Sequence, residues 1–96
     1  MQLDFDVDRL AEICRRYGVA RLDIFGSVSR GEATSASDVD VLYELVPGSR
    51  LGWMIENLSD DLSELLGRPV DLVSRQALGE RLREVVLAEA QLVYTA

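Results

Sequence analysis

The spacing of apolar residues switches between a helical and a strand period along the chain, and the order of those switches limits the fold more than any other feature. Leu10, Ile13, Cys14 and Tyr17 recur at i, i+3, i+4 and i+7, which predicts a helix with Asp6 or Asp8 as its N-cap and Gly18 as its stop. Arg21-Leu22-Asp23-Ile24-Phe25 alternates polar with apolar and runs into Gly26-Ser27, the pattern of a half-buried strand entering a tight turn. Residues 30–37 are rich in Gly, Ala, Ser and Thr and read as a loop. Asp38-Val39-Asp40-Val41-Leu42-Tyr43-Glu44 then resumes the two-residue period, and Pro47-Gly48 ends it.

The remaining segments repeat the alternation. Leu51, Met54, Ile55, Leu58, Leu62, Leu65 and Leu66 keep a period near 3.6, with Gly67 as the C-terminal stop, so a second helix is expected over 51–66. Pro69-Val70-Asp71-Leu72-Val73 reads as a short strand, 74–78 as a connector, and Leu82, Val85, Val86 and Ala90 as a third helix. Leu92-Val93-Tyr94 is a candidate terminal edge strand. This order predicts an α/β (α+β) fold, a small mixed sheet of three to four strands covered by about three helices. At 96 residues, 48% of them hydrophobic, there is material for one core, so residues 1–96 are expected to form a single domain.

Two absences restrict the chemistry. The chain has no His, and all ten of its basic side chains are Arg, so Ser-His-Asp and Cys-His machinery, His-ligated zinc, a Walker A loop and a Schiff base are excluded. A general base must therefore be a carboxylate. Cys14, the single cysteine, allows no intramolecular disulfide, and its place on the apolar stripe makes it a packed thiol rather than a reactive one. The net charge of −7 opposes nucleic-acid backbones and anionic membrane surfaces. The longest stretch without charge is the seven residues 90–96, against roughly 20 for a membrane span, and the acidic N-terminus lacks the features of a signal peptide. These features lead us to expect a cytoplasmic protein with no direct nucleic-acid or membrane partner.

Strand alternation puts Asp38, Asp40 and Leu42 on one face and Val39, Val41 and Tyr43 on the other. If Val70 and Leu72 share the helix-covered face of a neighbouring strand, Asp71 points the opposite way and three carboxylates converge. Taken singly, Asp38 as a turn cap, Asp40 as a solvated strand residue and Asp71 as an exposed edge acid are each ordinary. Asp is depleted in strands, however, and a self-repelling cluster makes sense chiefly as a cation site. Oxygen-only ligation with places left for water and phosphate suits Mg²⁺ or Mn²⁺, and no calcium-binding loop pattern occurs. Gly26-Ser27, at the end of a strand, could supply backbone N–H groups to a phosphate.

The segment from Phe25-Gly26-Ser27 through Arg30-Gly31-Glu32-Ala33 to Asp38-Val39-Asp40 reads Gly-Ser, ten residues, Asp-x-Asp. It resembles the signature of the DNA polymerase β nucleotidyltransferase superfamily. The later Val70-Asp71-Leu72-Val73 and the final helix resemble the minimal, MNT-type members, and the likeness covers nearly the whole chain. The resemblance implies that Gly26 and Ser27 hold the β and γ phosphates of a nucleoside triphosphate. It implies too that Asp38 and Asp40 bind two Mg²⁺ ions, and that Asp71 ligates one ion and accepts the proton of the attacking hydroxyl. For Arg30 two roles stay open, holding the triphosphate or pairing with Glu32 or Glu44. Tyr43 and Trp53 read as core or interface residues rather than base-stacking platforms. Arg75 is a candidate contact to nucleotide or acceptor, and Arg81 and Arg83 read as a solvated helix face.

Larger members of the superfamily carry a helical domain that this chain ends too soon to include, so something else is expected to complete the site. MNT-type proteins are paired with a small helical HEPN ribonuclease toxin, which they neutralise by binding it or by adenylylating a tyrosine. The resemblance therefore implies an ATP-dependent adenylyltransferase acting as the antitoxin of a HEPN partner. A noncatalytic, binding-only antitoxin and a small-molecule nucleotidyltransferase are the alternatives.

Overall fold

The computed structural model describes residues 5–26 and 38–96. Asp6 starts the first helix, α1 (Val7–Tyr17), by accepting hydrogen bonds at Oδ1 from the backbone N–H groups of Asp8 (3.0 Å) and Arg9 (3.2 Å), so Asp6 rather than Asp8 is the cap. Gly18, at φ 71°, closes it in the left-handed region. Leu10, Ile13, Cys14 and Tyr17 are the residues α1 buries, the same stripe its spacing predicts. Full burial pushes the Cys14 thiol up from its ordinary 9.0 to about 12. Tyr17 donates its hydroxyl to Asp61 Oδ2 at 2.5 Å, and that bond to a carboxylate raises the phenol above its usual pKa.

The strands are β1 (Val19–Phe25), β2 (Val39–Leu45), β3 (Val70–Ser74) and β4 (Gln91–Thr95). They form one mixed sheet in the order β3-β2-β1-β4. β1 is antiparallel to both neighbours, whereas β2 and β3 run parallel. The terminal strand expected at Leu92 therefore exists and lies beside β1. The helix expected over 51–66 is α2 (Ile55–Leu66), preceded by a single 3-10 turn at Gly52–Met54. Trp53, which lies off the predicted stripe, is 99% exposed and so not a core residue, whereas an interface role is untouched by this. Of the stripe, Leu51 is buried at 8% exposure, but Met54 on that turn and Ile55 just after it are exposed at 45% and 37%. A second 3-10 turn at Arg75–Ala77 leads to the last helix, α3 (Glu80–Glu89).

The two faces of the sheet have different covers. Leu22, Ile24, Val39 and Val41 meet Leu10, Ile13, Leu58 and Leu62 of α1 and α2 in one aliphatic core, with Tyr43, Val70 and Leu72 packed at its margin. The crossovers β2–α2–β3 and β3–α3–β4 run in opposite directions along the sheet, so right-handed connections put α2 and α3 on opposite faces. Asp23 and Leu42, register partners outside that aliphatic core, are accordingly buried to 2% and 1% exposure. Among the described residues no helix is long and apolar enough to cross a membrane.

Candidate nucleotide and metal site

The end of β1 and the start of β2 are built against each other. Phe25 is the register partner of Asp40, and Gly26, immediately after it, takes φ 78°. A Cβ built on Gly26 collides with Asp40 Oδ2 and stands 3.2 Å from its Cγ. Glycine is needed twice over at this position, for the left-handed backbone and for the approach of the carboxylate. Ser27 and Arg30, the other predicted phosphate-binding residues, lie outside the described residues.

β3 brings the second acid. It pairs with β2 in parallel register, Asp40 opposite Asp71 and Val41 opposite Leu72, so the two carboxylates stand on neighbouring strands about 5 Å apart at the backbone. Val70 and Leu72 pack toward the aliphatic core, which turns Asp71 to the other face, as the alternation predicts. Asp71 is exposed and Asp40 half-buried. The start of β3 is pinned at three points. Val39 N–H donates to the Pro69 carbonyl at 2.8 Å, Ser59 Oγ to the Val70 carbonyl at 3.1 Å, and Val70 N–H to Ser63 Oγ at 3.0 Å.

Asp38 is exposed and lies one residue before β2. Among the described residues no group of three acids forms a cation site, and the register brings Asp40 and Asp71 to paired positions of neighbouring strands. The donor set still fits a hard divalent ion, because it is all carboxylate oxygen and one carboxylate is seated on a glycine that leaves room for nothing larger.

The sequence reading missed a second charged group on the same face. Asp23, treated there only as a polar position of a half-buried strand, is the one buried charged residue among those described, at 2% exposure. Arg21 grips it with two hydrogen bonds, Nε to Oδ1 at 2.8 Å and Nη2 to Oδ2 at 3.1 Å. The Asp23 carboxylate thereby raises the Arg21 guanidinium above its already high pKa. Arg75 Nη1 lies 3.7 Å from Asp23 Oδ1, and its Nε lies 3.6 Å from Glu44 Oε1. Its side chain is only 17% exposed. The signal that could have revealed this group is Arg21-x-Asp23, two opposite charges at the spacing that shares one strand face.

Comparison with known proteins bears on the family and the fold. The model of the nucleotidyltransferase domain family matches residues 7–93. The protein adenylyltransferase MntA of Thermococcus cleftensis is 41% identical over 78 residues, which cover 81% of this chain and 78% of that one. A solved structure described as a minimal nucleotidyltransferase superposes with a TM-score of 0.72 at 42% identity, covering 88% of this chain and 86% of that one. The MNT antitoxin solved in complex with the tri-AMPylated HEPN toxin of Shewanella oneidensis shares the fold, with a TM-score of 0.64 at 17% identity over 94% of this chain and 70% of that one.

Proposed function

Since the chain belongs to the nucleotidyltransferase domain family, we propose that it transfers the adenylyl group of ATP to a tyrosine of a HEPN-type toxin and so acts as that toxin's antitoxin. The observation that carries this reading is the seating of Asp40 on Gly26 with Asp71 as its register partner. It puts a phosphate-approachable turn and two carboxylates at one end of the sheet. A protein acceptor is supported by a relative named a protein adenylyltransferase and by the shared fold of an MNT antitoxin solved with a tri-AMPylated HEPN toxin.

In this reading the backbone at Gly26 and Ser27, with Arg30, holds the triphosphate. Asp38, Asp40 and Asp71 would hold two divalent ions, Mg²⁺ or Mn²⁺, which would supply positive charge to the triphosphate and the attacking hydroxyl. Asp71, the most exposed of the paired acids, also takes the proton from the tyrosine hydroxyl. The tyrosine oxygen then bonds to the α-phosphorus, the bond from that phosphorus to the β-phosphate oxygen breaks, and pyrophosphate leaves. Orientation of the acceptor by the docked partner contributes several kcal/mol to such a step.

The test is intact-mass spectrometry of the partner after incubation with this protein, ATP and Mg²⁺. Each adenylyl addition increases the mass by about 329 Da, the covalent arithmetic of the transfer just described. A complex that forms and silences the ribonuclease while the partner's mass stays unchanged would instead make this a binding-only antitoxin.

A further inference from the structure

Trp53, Met54 and Ile55 are consecutive and all three stand in solvent, Trp53 almost completely. Neither the core nor the transfer site uses them, because the segment follows the far end of β2, away from Asp40. An apolar patch left open with no internal role is the mark of a docking surface, and its rim indicates what docks. Glu56, Asp60 and Glu64 recur at i, i+4 and i+8 along α2, all exposed, and that spacing sets them on one ridge. Trp53 lies three residues before Glu56, close to one turn, so it heads the ridge. α2 contains Glu56, Asp60, Asp61 and Glu64 and no basic residue, although like charges one turn apart weaken a helix. Arg9 reaches Glu64 at 4.0 Å, and Asp61 is met by Tyr17 and Arg16. Glu56 and Asp60 have no ion pair among the described residues.

An isologous contact with a second copy would set one acidic ridge against the other, and the net charge of −7 repels anionic membranes and nucleic acids alike. The complement of this surface is a protein face that combines an apolar pocket with cations. A ribonuclease carries such cations, because its substrate surface has to hold a phosphate backbone. We propose that the patch of Trp53, Met54 and Ile55, with the ridge of α2, docks on the cationic RNA-binding surface of the HEPN-type partner. Trp53 is the buried anchor, and Glu56 and Asp60 pair with groups that otherwise hold phosphates. This rests on the partner being the ribonuclease toxin of the transfer reading. It adds a second means of neutralisation, occupation of the RNA surface, that needs no chemistry. α2 is 12 residues long, about 18 Å, and its last turns are tied through Ser59 and Ser63 to the strand that bears Asp71. A partner lying along α2 therefore reaches the transfer site as well.

Docking is measured without ATP and with divalent ions chelated, so it can fail while transfer succeeds, and the mass increase of the partner reports transfer separately. Calorimetric titration of the HEPN-type partner with the full chain should give a complex that Trp53→Ser weakens at least about tenfold. Glu56→Gln combined with Asp60→Asn should weaken it about tenfold at low salt and flatten its salt dependence. All three side chains are exposed, so the variants should keep the wild-type melting temperature. A 2′-O-methyl RNA oligonucleotide, which resists cleavage, should compete with the chain for the partner. Unchanged affinity in Trp53→Ser, a ternary complex of partner, RNA and chain, or no complex without ATP would each overturn the proposal. So would sedimentation of the chain alone as a dimer that Trp53→Ser dissolves, which would assign the patch to a second copy.

Discussion

The two faces of the sheet are made by alternate residues of the same strands, and they are built on opposite principles. Toward α1 and α2, Leu22, Ile24, Val39 and Val41 meet Leu10, Leu58 and Leu62 in a dry aliphatic layer. Toward α3, the same strands present Asp23, Asp40, Glu44 and Arg21, with Asp71 and Arg75 from β3 and its following turn. The first face supplies stability, which lets the second keep like-charged groups side by side. Where a chain is too small for separate structural and chemical layers, the two-residue period of a strand divides the work between them.

The largest effect that would test this division is on the charged face. Asp40→Asn should cut nucleotide transfer by at least about a thousandfold, or about 4 kcal/mol in transition-state terms, while the chain still folds cooperatively. Activity is read by intact mass and stability by thermal denaturation. A collapse of the fold would place Asp40 among the structural residues and break the comparison. On the aliphatic face Leu58→Ala, at a residue 0% exposed, should cost about 3 kcal/mol in urea denaturation.

Alkaline pH should also act through the aliphatic face. Burial raises the folded-state pKa of Cys14 from 9.0 to about 12, and the bond to Asp61 raises that of Tyr17. A raised acid stabilises the folded state fully below its unfolded pKa, and that contribution drains away as pH climbs from there through the folded value. For Cys14 the window is pH 9 to 12, and about 3 kcal/mol of stability should be gone by pH 11. Cys14→Ala should flatten the slope of unfolding free energy against pH in that range, and an unchanged slope would refute the assignment. The smallest effect is expected at Trp53, which lies beside the aliphatic layer but is 99% exposed. Trp53→Ser should leave the stability of the isolated chain within about 0.5 kcal/mol, and the native fluorescence of this single tryptophan should match that of the unfolded chain.

Most of the aliphatic face was legible in the sequence because periodicity reports burial directly. The stripe on α1, the split of Val39 and Val41 from Asp40, and the turning of Asp71 away from Val70 and Leu72 all follow from counting residues. Periodicity fails where the backbone changes its own period, as at the 3-10 turn Gly52–Met54, where Met54 and the following Ile55 are exposed although the 3.6 spacing placed them on the buried stripe. It also fails where a polar residue is buried by a distant element. Nothing near Asp23 in the chain announces that β3 will deliver Arg75 to it, more than fifty residues later. The Gly26–Asp40 contact was legible only as a spacing, and the reason for the glycine, a carboxylate occupying the place of its Cβ, needed the fold.

The position of β4 carries a consequence for how the molecule is made. β1 (Val19–Phe25) is an interior strand, but its second neighbour is Gln91–Thr95, so one of its edges stays unpaired until residue 95 has left the ribosome. A nascent chain with β1, β2 and β3 in place presents that edge to any extended peptide nearby, and an uncovered edge is a template for aggregation. Codon choice and chaperone access over β4, Gln91–Thr95, should therefore govern the soluble yield of this protein more strongly than equivalent changes over α1.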